Sequence, residues 1–381
     1  MTSNGKQLRE ALLKDAERVV IKVGSRLLVD NSGRPDPERI SQLVEEITHL
    51  RNQGRQVILV TSGAIAAGMA ALNMSKRPKE LPELQMCAAV GQGLLMGMYE
   101  RECAARGFHC GQLLLTAEDV KHRRRHLNLS HCLETMLRTG VLPVINENDS
   151  ITVKEIRFGE NDGLAALVGI LARAPLTVLL TSIDGMCQLL PDGSFGERIS
   201  VVPEVSPEIL AMAGGTDGNE LSTGGMISKL RAAERCQTVG ESLWIADGRD
   251  FSHLRRVFAG EDVGTLFPGS AEKMSAHKRW LAFFPEVAGT VIVDEGAFRA
   301  VNEQGRSLLP GGIRSLRGEF SKGDVVEISG PDGRVFARGI ANYSRGELDR
   351  IRGARSAEIP ALLGAQDYYE EAVHRDNLVL L

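Results

Sequence analysis

Up to about residue 268 the chain alternates between two hydrophobic periods. Short, continuous apolar runs rich in β-branched residues occupy Arg18–Val23, Gln56–Val60, Cys110–Leu115, Val141–Ile145, Thr177–Thr181 and Leu243–Ala246. Between them, apolar residues recur at helical spacing over Pro37–Gln53, Ala64–Leu72, Leu84–Arg106, Arg125–Arg138, Leu164–Ala172 and Ile227–Thr238. Strands without polar alternation are buried on both faces, and strand–helix alternation builds a mainly parallel sheet. The pattern therefore predicts an α/β protein, a three-layer α/β/α sandwich. Ligands of such sheets sit outside the carboxyl ends of the strands. Glycine-rich segments follow Val23, Val60 and Thr181, at those ends.

After about residue 276 the texture changes. Long helical patterns stop, and short β-like pieces stand at Thr290–Asp294, Asp324–Ser329 and Val335–Ile340. Ser321–Ile328 reads as a turn into a strand, and Asp332-Gly333 as a hairpin tip. The expected organisation is a first domain over residues 15–268 and a small β-rich domain over 277–372, joined through Phe267–Ala276. A length of 381 residues fits two domains.

Composition narrows the function classes. The formal net charge is −4, so no global attraction to nucleic acid or to an anionic membrane is expected. No apolar stretch is long enough for a transmembrane helix, and the polar first 17 residues carry no secretory signal. The six cysteines form no CxxC pair and no metal-ligand spacing, which points to reduced thiols in a cytoplasmic protein. No histidine stands with a GxSxG serine or a cysteine motif, so a covalent triad is not expected.

The candidate chemistry lies in Gly/Ser/Thr/Lys turns. Lys22 interrupts an apolar strand just before Gly24 and Ser25; it is either a strand-end lysine reaching solvent or a phosphate ligand. TSGA, Thr61–Ala64, turns from strand into helix, either as a plain cap or as an anion site through Ser62 and Gly63. INENDSI, Ile145–Ile151, places Asn146, Glu147, Asn148 and Asp149 after a strand. Such a cluster suits a zwitterion, with an Asx-rich turn as the alternative. In GENDGLAAL, Gly159–Leu167, Asn161 is a candidate cap and Asp162 lies in the first helical turn, where a carboxylate also stabilises the helix dipole. STGGMISK, Ser222–Lys229, lacks Walker A spacing; its Lys229 at a helix start is either exposed or pairs with an anion. Together these turns argue for a polyphosphate held across the top of a sheet. KHRRRH, Lys121–His126, reads as a solvated helix start or a subunit contact.

Order and context carry more than any single motif. IKVGSRLL, VTSGAIAAGM, AAVGQGLLM, GQLLLT, VLPVINENDSI, FGENDGLAALV, TGGMISKLRAA and VGTLF, with KRWL, VDEGA, SLLPGGI and AVHRD in the tail, resemble the glutamate 5-kinases. That family belongs to the amino-acid-kinase superfamily, and the resemblance spans about Val19 to Asp376. The tail resembles a PUA domain, a module that elsewhere binds RNA. The resemblance implies the amino-acid-kinase fold and transfer of the γ-phosphoryl group of ATP to the side-chain carboxylate of L-glutamate, opening proline biosynthesis. It also implies Mg²⁺ bound mostly through phosphate oxygens and water, with no protein metal site. By the same resemblance Lys22 and Lys229 flank the transferring group and Asp162 orients them. Ser62, Gly63, Asn146, Asp149 and Asn161 would hold the substrate. Lys22, Gly24, Thr181, Ser182, Thr223, Gly224, Gly225, Met226, Ile227, Ser228 and Lys229 would bind ATP. The implied partners are a second copy or more of the chain, as dimer or tetramer, glutamate-5-semialdehyde dehydrogenase as recipient of the product, and proline as feedback inhibitor. Arg26, Ser182 and Ser222 depart from the family pattern and bear on phosphate handling and nucleotide affinity; activity is still expected. The alternatives are another carboxylate-phosphorylating amino-acid kinase, or an RNA-binding protein led by its tail. Near-balanced charge after Lys278 disfavours the latter, although Arg350, Arg352 and Arg355 cluster.

Overall fold

The computed structural model describes residues 3–30, 32–116, 119–120, 123–152, 161–190, 194–213, 225–270, 276–283, 286–364 and 368–381. The chain divides into two compact units, one of residues 1–119 and 126–273, the other of 274–381 with 120–125.

The strands of the first unit are β1 (Arg18–Val23), β2 (Gln56–Val60), β3 (Cys110–Leu115), β4 (Leu142–Glu147), β5 (Leu176–Thr181), β6 (Cys187–Leu189), β7 (Phe195–Arg198), β8 (Ser242–Asp247) and β9 (Thr265–Phe267). Seven form one sheet in the order β3-β4-β2-β1-β5-β8-β9. All neighbours are parallel except β8 and β9, while β6 and β7 make a separate antiparallel hairpin. The helices are α1 (Ser3–Asp15), α2 (Pro37–Asn52), α3 (Ala64–Ala71), α4 (Leu81–Ala105), α5 (Arg123–Arg138), α6 (Asn161–Ala172), α7 (Pro207–Ala213), α8 (Met226–Thr238) and α9 (His253–Phe258). Val19, Ile21 and Val23 of β1 are buried with Ile40, Leu43 and Ile47 of α2 in one core. On the opposite face α6 is buried from Leu164 to Ala172, and Gly169 lets it close on β5, since a Cβ there would stand 2.6 Å from Thr177 Oγ1.

The chain runs from β1 outward to β2 and β3, returns to β4, and then crosses to β5 on the other side of β1. The strand order therefore reverses beside β1. A crevice at the carboxyl ends of strands flanking such a reversal is where open α/β sheets hold ligands.

The structure corrects one expectation of the pattern. β4 does not stop at Ile145. Asn146 and Glu147 pair with Leu114 and Leu115 of β3, so both are buried strand residues and only Asn148 and Asp149 enter the turn. Past residue 276, where no long helical pattern was expected, the helices are α10 (Ala276–Phe283), α11 (Glu295–Asn302), α12 (Arg345–Ile351) and α13 (Ile359–Leu363). They are short, so their helical period is brief; α11 and α12 are instead marked by the side-chain caps Asp294 and Ser344.

The second unit is built on β10 (Gly289–Val293), β11 (Ile313–Gly318), β12 (Val325–Ser329), β13 (Val335–Ile340) and β14 (Leu378–Leu380), in the order β11-β10-β12-β13-β14. It has its own core, including Val291, Val326, Ile328, Ala337 and Leu348. Gly333, at φ +80°, turns the β12–β13 hairpin at the expected Asp-Gly. Arg352, at the end of α12, pairs with Asp349 of that helix, and Arg350 donates to the Leu362 carbonyl of α13, so both arginines are engaged within their own unit. Among the described residues no helix is long and apolar enough to cross a membrane.

Candidate active site

At the strand reversal, three charged side chains leave separate elements and meet. Lys22 comes from β1, Asp162 from the first turn of α6, and Lys229 from the first turn of α8. Asp162 is fully buried. One carboxylate oxygen, Oδ1, pairs with the Lys22 ammonium. The other, Oδ2, accepts from Lys229 Nζ at 3.0 Å and from Ser228 Oγ at 3.2 Å. Both lysines are themselves more than nine-tenths buried. Burial alone would push the Asp162 carboxyl up; the Lys22 and Lys229 ammoniums outweigh it and hold the group below its ordinary range. The two ammoniums gathered about Asp162 offer cationic groups to an anion.

Helix ends add to that field. Gly63 precedes α3 and Gly225 precedes α8 as their N-cap residues, neither giving a side-chain cap. Uncapped N-termini present backbone N–H donors and positive dipole ends. Gly63 takes φ +101°, with nothing within 4 Å of a Cβ built there. The position needs glycine for its backbone, and the space above it is open to a ligand. Ser62 donates its hydroxyl to the Val23 carbonyl at 2.9 Å, tying the ends of β2 and β1. Gly24 lies alongside, a Cβ there coming 4.0 Å from Lys22 Nζ.

A chain of amides lies on the β2–β4 side. Asn161, the first residue of α6, donates through Nδ2 to the Thr61 carbonyl at 2.6 Å and to Asn146 Oδ1 at 3.0 Å. Asn146 is only 2% exposed and donates to Gln92 Oε1 of α4 at 2.9 Å. Thr61 Oγ1 meets the buried Tyr99 hydroxyl at 2.7 Å. Asp149 is half-buried in the turn after β4.

On the other side of β1, Thr181 ends β5 opposite Asp247 of β8, and Ser182 follows it exposed. Met226, Ile227 and Ser228 form the first turn of α8. Thr223, Gly224 and the departing Ser222 lie outside the described residues, as do Lys121 and His122 of the basic run, whose remainder opens α5. Arg26 is exposed in a short 3-10 turn after β1. Two residues of this neighbourhood were not singled out from the sequence as site residues. Tyr99 carries no sequence signal. Gln92 carries only an indirect one, the adjacent Gly91 within a helix, which marks close backbone approach.

Two family models match. The amino acid kinase family covers residues 17–247 and the PUA domain residues 289–363. Glutamate 5-kinase of Caldanaerobacter subterraneus subsp. tengcongensis is 45% identical, over 96% of this chain and 98% of its own. This chain is a member of the glutamate 5-kinase family. Glutamate 5-kinase of Moorella thermoacetica is also 45% identical, over 97% of both chains. Among solved structures, carbamate kinase from Giardia lamblia bound to AMP-PNP aligns at TM-score 0.49 and 18% identity, over 67% of this chain and 99% of that one.

Proposed function

We propose that this glutamate 5-kinase family member transfers the γ-phosphoryl group of ATP to the side-chain carboxylate of L-glutamate, the first step of proline biosynthesis. The observation that carries this reading is the buried Lys22–Asp162–Lys229 bridge beside two uncapped helix N-termini. The acceptor carboxylate is already ionised at neutral pH, since a glutamate side chain titrates near ~4.3. It attacks the γ-phosphorus, the bond to the β,γ-bridging oxygen breaks, and ADP leaves with that electron pair. No general base is needed, so the protein's task is positioning and charge stabilisation. Lys22 and Lys229 neutralise charge on the transferring group. Asp162 sets their separation and stops each from wandering to solvent. Ser62 and Gly63 bring the acceptor to the top of β2, with Asp149 and Asn161 at its ammonium end and Asn146 bracing Asn161. Thr181, Ser182 and the start of α8, with Gly24, serve the nucleotide side. Among the described residues no three candidate metal-ligating side chains stand together. Mg²⁺, which ordinarily keeps several waters and binds through substrate phosphates, would supply neutralisation of phosphate charge on the nucleotide side.

Trapping with hydroxylamine tests the reading. ATP and L-glutamate with Mg²⁺ should give the hydroxamate of the acyl phosphate, and L-aspartate and N-acetylglutamate should not. A folded, ATP-binding protein that yields no hydroxamate from glutamate would refute it.

A further inference from the structure

We propose that Gln92 is a positioning residue that sets selectivity for an amino-bearing substrate, an inference that rests on the glutamate-kinase reading above. The argument starts from which way three amides must point. The Glu147 backbone N–H donates to Asn146 Oδ1 at 3.0 Å, so that side of Asn146 is oxygen. The Thr61 carbonyl accepts from Asn161 at 2.6 Å, so that side of Asn161 is nitrogen. With both ends fixed by the backbone, Asn146 turns its nitrogen to Gln92, which must answer with Oε1. The two Asn161 Nδ2 hydrogens are then spent, on Thr61 and on Asn146. What Asn161 keeps for a ligand is Oδ1, an acceptor only. An acceptor one residue from Asp162 meets an ammonium and not a carboxylate.

Gln92 is an expensive choice for stability alone. It is 7% exposed, and its Nε2, fully buried, finds no acceptor among the described residues. A buried donor left without a partner is destabilising, and an apolar side chain of the same length would avoid that cost. The acceptor it offers Asn146 is the return. α4 can bring it there only because Gly91 lies against α3, a Cβ at Gly91 standing 1.9 Å from the Ala64 carbonyl oxygen.

The test compares Gln92→Met, which keeps length and removes the acceptor, with Gln92→Glu, which keeps an acceptor oxygen. Hydroxamate formation is measured on L-glutamate and on glutarate, which lacks the amino group. Gln92→Met should raise the glutamate KM about tenfold, and leave the ATP KM, the thermal midpoint and kcat/KM for glutarate near wild type. Gln92→Glu should return the glutamate KM to within about threefold of wild type. Gln92→Asn draws the oxygen out of reach, should match the methionine variant, and serves if that variant does not fold. An unchanged glutamate KM in an active enzyme, or an equal loss on glutarate, would overturn the inference alone. A wild-type protein that makes no hydroxamate at all overturns the underlying reading, and this inference with it.

Discussion

Asp162 is the residue on which the charge balance of the site turns. Replacing it with asparagine leaves two buried ammoniums facing each other, at a cost of about 3 kcal/mol. The urea midpoint of Asp162→Asn should fall accordingly. The pH dependence follows from the sign of the shift. The folded carboxyl lies below its ordinary value of 3.8, so its stabilisation is complete above that value and is lost as pH falls through the folded one. The gap in urea midpoint between wild type and Asp162→Asn should therefore stay constant from about pH 8 to about pH 5 and close only below 3.8. A gap that closes near neutrality would mean that Asp162 is not held ionised by its two lysines. At this scale the sequence showed Lys22, Asp162 and Lys229 as oddities: charges in an apolar strand or in a first helical turn. It did not show Gln92 as a site residue, because the glycine beside it marks a close helix approach rather than a polar contact, and its partner is 54 residues away.

Elements were legible where their period was strong. β1, β2, β3 and β13 stand at the residues the pattern marks, and α2, α3 and α8 differ by a residue or so. α4 begins at Leu81, three residues earlier than its apolar period suggests, because Pro82 in the first turn gives up no hydrogen bond. α1 was not legible. Its thirteen residues are mostly polar, and it is held from afar, by Arg9 donating to the Gly260 carbonyl at 3.2 Å and to Ser200 Oγ at 2.9 Å. The most sensitive join is α3 against α4. A methyl group at Gly68 would stand 1.8 Å from the Cys87 carbonyl oxygen, and at Gly91 1.9 Å from that of Ala64. Gly91→Ala should cost about 3 kcal/mol and raise the glutamate KM at least as much as Gln92→Met does, since the backbone must separate and carries Gln92 with it. Thermal unfolding checks this, and Gly93→Ala, with nothing within 4 Å of its Cβ, is the control that should change little.

Among the described residues each unit has a large core of its own, one around β1 and α2 and one within the β10–β14 sheet. Separate cores favour separate unfolding, and a ligand stabilises only the unit that binds it. Calorimetry should resolve two transitions, of which ATP with glutamate raises one. A single transition raised as a whole would show instead that the units unfold together. The account's central claim, that the buried lysine–aspartate–lysine bridge is the transfer centre, is tested most directly by kcat for hydroxamate formation in Lys229→Met beside wild type. The expected result is a fall of about a hundredfold to a thousandfold with the glutamate KM nearly unchanged, because the ammonium acts on charge in the transition state. A folded Lys229→Met enzyme that keeps the wild-type kcat would contradict the claim.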